Sequence, residues 1–246
     1  MKIVGIIPAR FKSTRFPGKP LVPILGKPMV IHVAEIVSKA LGKENTYVAT
    51  DSDEIARIDK KWDYNVVMTG DDALTGTDRV WQAAQQISAD IYINIQGDEP
   101  LLNPEDIRTI GSEKEKNMNF VINGMHKIAA DEDPNSINIP KVVATEKNLL
   151  IYISRLPVPG FKSKNLRPLM YMKQIGMYAF TRDELEKFGT FGKKSYIEST
   201  EDIEVLRFFD LAIPVHMVEL SGSSLAVDVP EDVIKVEDAM RKMGRK

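Results

Sequence analysis

The sequence predicts an α/β protein: a mostly parallel, mixed sheet flanked by helices, with a β-rich insertion in its second half. Three observations predict it. Residues 3–7 and 91–95 are continuous apolar runs, as expected of central parallel strands buried on both faces. Short β-branched runs alternate with helix-period patterns through the first half, the signature of strands joined by crossover helices. From about residue 119 the alternation stops and strand-like segments follow one another directly.

Taken in order, strand 3–7 leads into an irregular loop and then a helix over 28–39, where Met29, Val30, Val33, Ile36 and Val37 mark one face. A strand at 46–49, a helix at 53–62 and a strand at 66–68 follow. The spacing next predicts a helix over 77–87, the strand 91–95, and a helix from 104 to 115 with Pro104 in its first turn, where the missing N–H is not needed. Segments 119–127, 141–145, 149–153 and 173–180 read as strands of the insertion. The first-half rhythm returns with a helix over 200–211, strands at 215–218 and 225–227, and a closing helix over 230–243. The expectation is one domain over 1–246, with 119–180 as the insertion.

Composition narrows the function. Lys and Arg number 33 against 35 Asp and Glu, a formal charge of -2, which excludes a general phosphate-neutralising nucleic-acid surface. There is no cysteine, so disulfides, thiolate metal sites and cysteine nucleophiles are absent. His32, His126 and His216 are far apart and lack metal-ligand spacing. The opening apolar stretch is too short for a signal-peptide core, and no run approaches the ~20 apolar residues of a membrane span. A soluble cytoplasmic protein is expected. The methionines read as core filler, the histidines at 126 and 216 as structural, and the basic tail from Arg241 as a solvated helix end.

Against this balanced charge, residues 6–21, IIPARFKSTRFPGKPL, are locally cationic: Arg10, Lys12, Arg15 and Lys19 with no acid among them. Ligands of open α/β sheets bind beyond the carboxyl ends of the strands. Four polar segments fall there: 8–19, 50–51, 96–100, and Asp228. Arg can fork onto phosphate oxygens, Lys can act as a point charge, and Gly18 permits a tight turn. The alternative is a solvated loop carrying scattered surface charge. Asp98 and Glu99 follow the apolar strand 91–95 as paired carboxylates facing a ligand, suited to Mg²⁺ with substrate phosphates. Asp98 alone serves equally as a cap for the helix near Pro104. Asp228 is either a second strand-end carboxylate or the N-cap of the last helix. Together these features form a pattern for a nucleoside triphosphate with magnesium.

The opening segment, GKPM at 26–29, VATD at 48–51, TGTDR at 75–79, NIQGDEP at 94–100 and VDVPEDV at 227–233 closely resemble the cytidylyltransferases that activate 3-deoxy-manno-octulosonate (Kdo). The likeness spans almost the whole chain in order and is densest over residues 1–100. It implies a Rossmann-like nucleotidyltransferase fold and transfer of CMP from CTP to the anomeric hydroxyl of an acidic sugar, with Mg²⁺ as cofactor, in lipopolysaccharide or capsule synthesis. By that likeness Arg10, Lys19, Asp98 and Asp228 are catalytic, the two aspartates holding the metal. Ala9, Ser13, Arg15, Thr50, Thr75, Gly76 and Arg79 join Arg10 and Lys19 around the nucleotide.

On the sugar side the resemblance implies Gln96, Arg155, Gln174, Tyr178 and Glu204, with Asn135, Lys141, Glu198 and Glu201 also matching. Arg155 has the fork for a sugar carboxylate. Two positions depart: Gln174 stands where the family usually has His, and Val205 where it usually has Gln. Val205 either marks a changed sugar or is a core residue. The other readings are a CMP-transferase for a different acidic sugar, such as an amino-substituted Kdo or a nonulosonate, and a non-catalytic nucleotide-binding protein of this fold. The family also implies a homodimer formed through the insertion.

Overall fold

The computed structural model describes residues 1–12, 16–130, 132–166, 170–222 and 225–244. The first half lays down β1 (Ile3–Ala9), β2 (Pro23–Ile24), β3 (Lys27–Pro28), α1 (Met29–Leu41), β4 (Thr46–Thr50), α2 (Asp53–Lys61), β5 (Asn65–Met68), α3 (Gly76–Ala84), β6 (Ile91–Ile95) and α4 (Pro104–Lys116). Then come β7 (Val121–Lys127), β8 (Lys141–Ala144), β9 (Leu150–Ser154), β10 (Met172–Phe180), α5 (Arg182–Thr190), α6 (Tyr196–Glu201), α7 (Arg207–Asp210), β11 (Val215–Glu219) and α8 (Pro230–Lys242).

One sheet runs in the order β11-β7-β10-β6-β1-β4-β5, with β8 added to β10 and β9 to β8, while β2 and β3 form a small separate hairpin. Strands β6, β1, β4 and β5 are mutually parallel, and β10 enters antiparallel to both β6 and β7. The pleat explains why β1 and β6 are apolar throughout. Val4, Ile6 and Tyr92 pack into one core with α3 and α5, and Ile7, Ile91, Ile93 and Ile95 into the other with α1 and α4. A smaller cluster holds Ile24, Met29 and Leu101 against Val227, Val236 and Met240, which fixes α8 to the site end of the sheet. Among the described residues no helix is long and apolar enough to cross a membrane.

Two features of this sheet position the site. Chain order reverses between β1 and β6, which opens the crevice that α/β sheets use for ligands. The side of β10 away from β7 is shared: β8 pairs with Met172 and Lys173, β6 with residues 177–180, and the sheet parts between them.

Three expectations need correction. The helix expected over 200–211 is broken by Asp202, which is left-handed (φ 51°), so α6 and α7 are separated by a 3₁₀ turn at Glu204–Leu206. That break turns Arg207 and Val205 into the core. Residues 225–227 form no strand; the segment is held instead by Val227 N–H donating to the Asp98 carbonyl at 2.9 Å. Helix α5 was unforeseen, although Thr181 and Glu184 form a capping box at its start.

Candidate functional site

The crevice is a cleft of about 320 Å³. Arg10, Lys19, Asp98 and Asp228 line one end, with Thr75, Gly76 and Arg79 alongside; Gln96, Arg155, Gln174, Tyr178 and Glu204 line the other. Twelve of the sequence-derived site residues therefore share one wall system. Ala9 and Thr50, in register at the ends of β1 and β4, are buried and do not line the cleft. Ser13 and Arg15 lie outside the described residues.

Lys19 follows Gly18, whose left-handed backbone (φ 69°) ends the loop with its N–H on the Phe11 carbonyl. The Lys19 ammonium donates to Asp98 Oδ2 at 2.5 Å and to the Val227 carbonyl at 2.9 Å, with Asp228 Oδ1 at 3.9 Å. The loop after β6 packs closely on the end of β1, where a Cβ on Gly97 would lie 3.1 Å from the Pro8 carbonyl oxygen. Neither aspartate caps a helix. Asn103 accepts the first N–H of α4, and Asp232 accepts the Asp228 and Val229 N–H groups before α8. Glu99, expected beside Asp98 on the ligand face, is buried and bonded to Gly176.

Two carboxylates thus converge on one position that a cation occupies. Hard oxygen donors of this number suit Mg²⁺, whose remaining positions go to water and phosphate oxygens. Among the described residues no group of three or more His, Cys, Asp or Glu side chains is arranged for a metal. The residues fit the ion.

Arg79 is nearly buried, with NH1 on Thr69 Oγ1 and the Gly70 carbonyl and NH2 3.4 Å from Asp51 Oδ2. Burial lowers its pKa, Asp51 works the other way, and the charge of Arg10 adds to the lowering. Asp51 Oδ1 is buried with no hydrogen-bond partner among the described residues. Thr75 caps α3, and its hydroxyl donates to Asp78 Oδ2 at 2.8 Å.

The residues expected on the sugar side are bonded to one another. Gln96 Nε2 donates to Glu204 Oε1 at 3.2 Å, and Glu204 Oε2 accepts the Thr77 N–H at 2.9 Å, at the amino end of α3. Burial raises the Glu204 pKa, opposed by hydrogen bonds from the Thr77 N–H and the Thr75 and Thr77 hydroxyls. Tyr178 is held well above its ordinary pKa by burial and then by the charges of Glu204, Glu99 and Asp98. Arg155 reaches the cleft, but its guanidinium already serves the carbonyls of Glu201, Ile137 and Asp202, which leaves part of its fork for a ligand.

Other matching positions are structural. Lys141 is buried and donates to the Ser136 and Arg155 carbonyls. Asn135 closes a local turn with Asp133. Glu201 accepts from Tyr152, Ser154 and the Arg155 N–H. Glu198 caps α6 and pairs with Arg207, which also forks onto Asp78 and stacks on Phe188 at 3.8 Å. Val205 is 1 % exposed in the core with Phe208, which resolves its two readings in favour of packing and removes it from the sugar wall. Sequence reasoning missed Asn123 and Lys194. Lys194 lines the cleft and pairs with Asp202; nothing in its exposed Lys-Lys context distinguishes it.

A cytidylyltransferase family model matches residues 4–213. The 3-deoxy-manno-octulosonate cytidylyltransferase of Escherichia coli is 35% identical over 240 residues, covering 97% of this chain and 96% of the relative. That of Geobacter metallireducens is 37% identical, covering 98% and 99%. Among solved structures, CMP:2-keto-3-deoxy-manno-octonic acid synthetase complexed with CTP superposes with a TM-score of 0.90 at 34% identity, over 99% of this chain and 100% of that one. The inositol-1-phosphate CTP transferase from T. maritima shares the fold, with a TM-score of 0.71 at 17% identity over 99% of this chain and 96% of that one.

Proposed function

The chain belongs to the 3-deoxy-manno-octulosonate cytidylyltransferase family, and we propose that it transfers CMP from CTP to the anomeric hydroxyl of Kdo with release of pyrophosphate. The observation that carries this reading is the meeting of Lys19, Asp98 and Asp228 at one position, in a chain that aligns end to end with a CTP-bound synthetase.

Attack on an α-phosphate asks for positioned phosphates and neutralised charge more than covalent help from protein. Arg10 and Lys19 hold the triphosphate, and Arg79 and the amino end of α3 border the nucleoside. Asp98 and Asp228 would hold Mg²⁺, which when bound supplies neutralisation of the charge developing on the phosphates. Gln96, Gln174, Tyr178 and Glu204 orient the sugar hydroxyls, and the remaining N–H groups of Arg155 meet its carboxylate. The sugar oxygen bonds to the α-phosphorus as the bond to pyrophosphate breaks. The same reading extends to a cytoplasmic enzyme of lipopolysaccharide or capsule synthesis. It also extends to a homodimer through the insertion, whose Ile151 and Leu156 are exposed.

The test is pyrophosphate release and CMP-sugar formation from CTP and Mg²⁺ with Kdo, an amino-substituted Kdo and a nonulosonate in parallel. Kdo is expected to give the highest catalytic efficiency. Release with another sugar alone overturns the substrate, and release with none overturns the activity. Light scattering at micromolar concentration checks the dimer, for which a clean monomer is the contrary result.

A further inference from the structure

Strand β10 carries two residues more than its partner where the sugar wall is built: Ile175 pairs with Gly124 and Tyr178 with Asn123, leaving Gly176 and Met177 in excess. Such a bulge frees backbone groups that must find other partners when buried. Two side chains supply several of them. Asn123 Nδ2, fully buried, donates to the Ile175 carbonyl at 3.0 Å and the Met177 carbonyl at 2.9 Å. Glu99 Oε1 accepts the Gly176 N–H at 3.2 Å, and the Gly176 carbonyl accepts from Gln96 N–H at 3.2 Å. The fit leaves no room at position 176, where a Cβ would lie 2.5 Å from Glu99 Oε1 and 2.6 Å from Gln96 Cγ.

The bulge has a consequence in the cleft. Here the Gln174 Nε2 donates to the Tyr178 hydroxyl at 3.3 Å, and also to Asn123 Oδ1 at 2.9 Å. Gln174 and Tyr178 thus meet on the cleft wall from the two sides of the bulge, and Asn123 bonds both Gln174 and the bulge carbonyls.

We infer that Glu99 and Asn123 are positioning residues for sugar recognition, setting Gln174 and Tyr178 as one unit by satisfying the bulge between them. The inference rests on the Kdo reading above. It also ties the two ends of the cleft together, since Glu99 adjoins Asp98 in the loop after β6.

The test is steady-state kinetics of the full-length enzyme with CTP and Kdo. Glu99→Ala is expected to raise KM for Kdo about tenfold or more, the scale of a lost hydroxyl contact, with KM for CTP changed less than about threefold. Glu99→Gln keeps an oxygen that accepts the Gly176 N–H and is expected to stay within about threefold of the parent. In a Gln174→Ala background, Glu99→Ala is expected to add less than about threefold, because both act on one unit. If Glu99→Ala does not fold, Asn123→Ser carries the same split in KM. Equal changes in the two KM values, a Gln variant as impaired as the Ala one, or full additivity overturns the inference. A parent enzyme with no Kdo turnover overturns the substrate reading and this inference with it.

Discussion

The two ends of the cleft are built differently. At the nucleotide end the side chains come from loops beyond the strands and meet as opposite charges: Lys19 against Asp98 and Asp228. At the end proposed for the sugar they come from β10, the loop after β6 and the broken helix region, and meet as hydrogen bonds among Gln96, Gln174, Tyr178 and Glu204. Charges on loops can be redistributed when an ion or phosphate arrives, whereas bonds anchored in a bulge and a buried ion network hold one shape. The first arrangement suits a polyanion with its metal. The second suits discrimination among hydroxyls, where a ligand that leaves buried groups unpaired is rejected.

Removing the metal-facing charge should break the nucleotide end most severely. Asp98→Asn is expected to lower turnover about 10³-fold or more at saturating CTP and Mg²⁺, since loss of metal support for transition-state charge is worth several kcal/mol. Its thermal unfolding should match the parent, because Asp98 is part-exposed and caps no helix. A variant within about tenfold of the parent would take the metal away from Asp98.

The sugar end should instead fail through stability. Arg207 is fully buried between Asp78 and Glu198, and so joins the start of α3 to α6 beneath Glu204. Arg207→Met leaves two buried carboxylates without their cation and is expected to cost about 3–5 kcal/mol, read by urea unfolding. A change below about 1 kcal/mol would mean that the network is relieved by water or rearrangement.

These contrasts explain what was legible beforehand. Strand-end charges stand out because an apolar run ending at Ile95 gives way to Gly97-Asp98, although a helix cap could explain each aspartate taken alone. The parallel half of the sheet was legible for the same reason, from the apolar runs of β1 and β6. The web at the sugar end was not. Nothing local distinguishes Glu99 from Asp98, yet one faces Gly176 and the other the cleft. The bulge depends on pairing between segments some 50 residues apart, which no single stretch encodes. Val205 read either as a departure in specificity, because the family usually has Gln there, or as a core residue, while its neighbour Glu204 does line the cleft. Only the break at Asp202 shows that adjacent residues point opposite ways.

A carboxylate belonging to neither end sharpens the contrast, since no cation pairs with it among the described residues. Asp59 on α2 is fully buried with neither oxygen hydrogen-bonded among the described residues, and burial raises its pKa to about 7. The native state therefore keeps the proton to higher pH than the unfolded chain, so stability is present in full below the unfolded pKa of 3.8 and falls as pH rises toward about 7. Asp59→Asn removes this group's titration. The variant should gain on the parent steadily from pH 4 to 7, reaching about 2 kcal/mol or more at pH 8. Parallel stability curves for the two proteins would show that Asp59 is solvated in solution.

The smallest expected effect tests whether the nucleotide end is as adaptable as its construction implies. Lys19 lies where Asp98 and Asp228 converge, and its ammonium is the cation between them. A divalent ion entering alone must displace that ammonium, which then has no phosphate to move to. Metal binding without nucleotide should be weak for this reason, and CTP should strengthen it by drawing Lys19 onto its phosphates. Lys19→Met keeps most of the stem and removes the competing charge. Mn²⁺ titrated without nucleotide, with free ion followed by electron paramagnetic resonance, should bind the variant about tenfold more tightly than the parent, a gain near 1.4 kcal/mol. In the presence of CTP the order should reverse, since the variant lacks the charge that holds the phosphates against the metal. Equal affinities without nucleotide would mean that Lys19 swings clear at no cost, and the nucleotide end would then be looser than the ion pair implies.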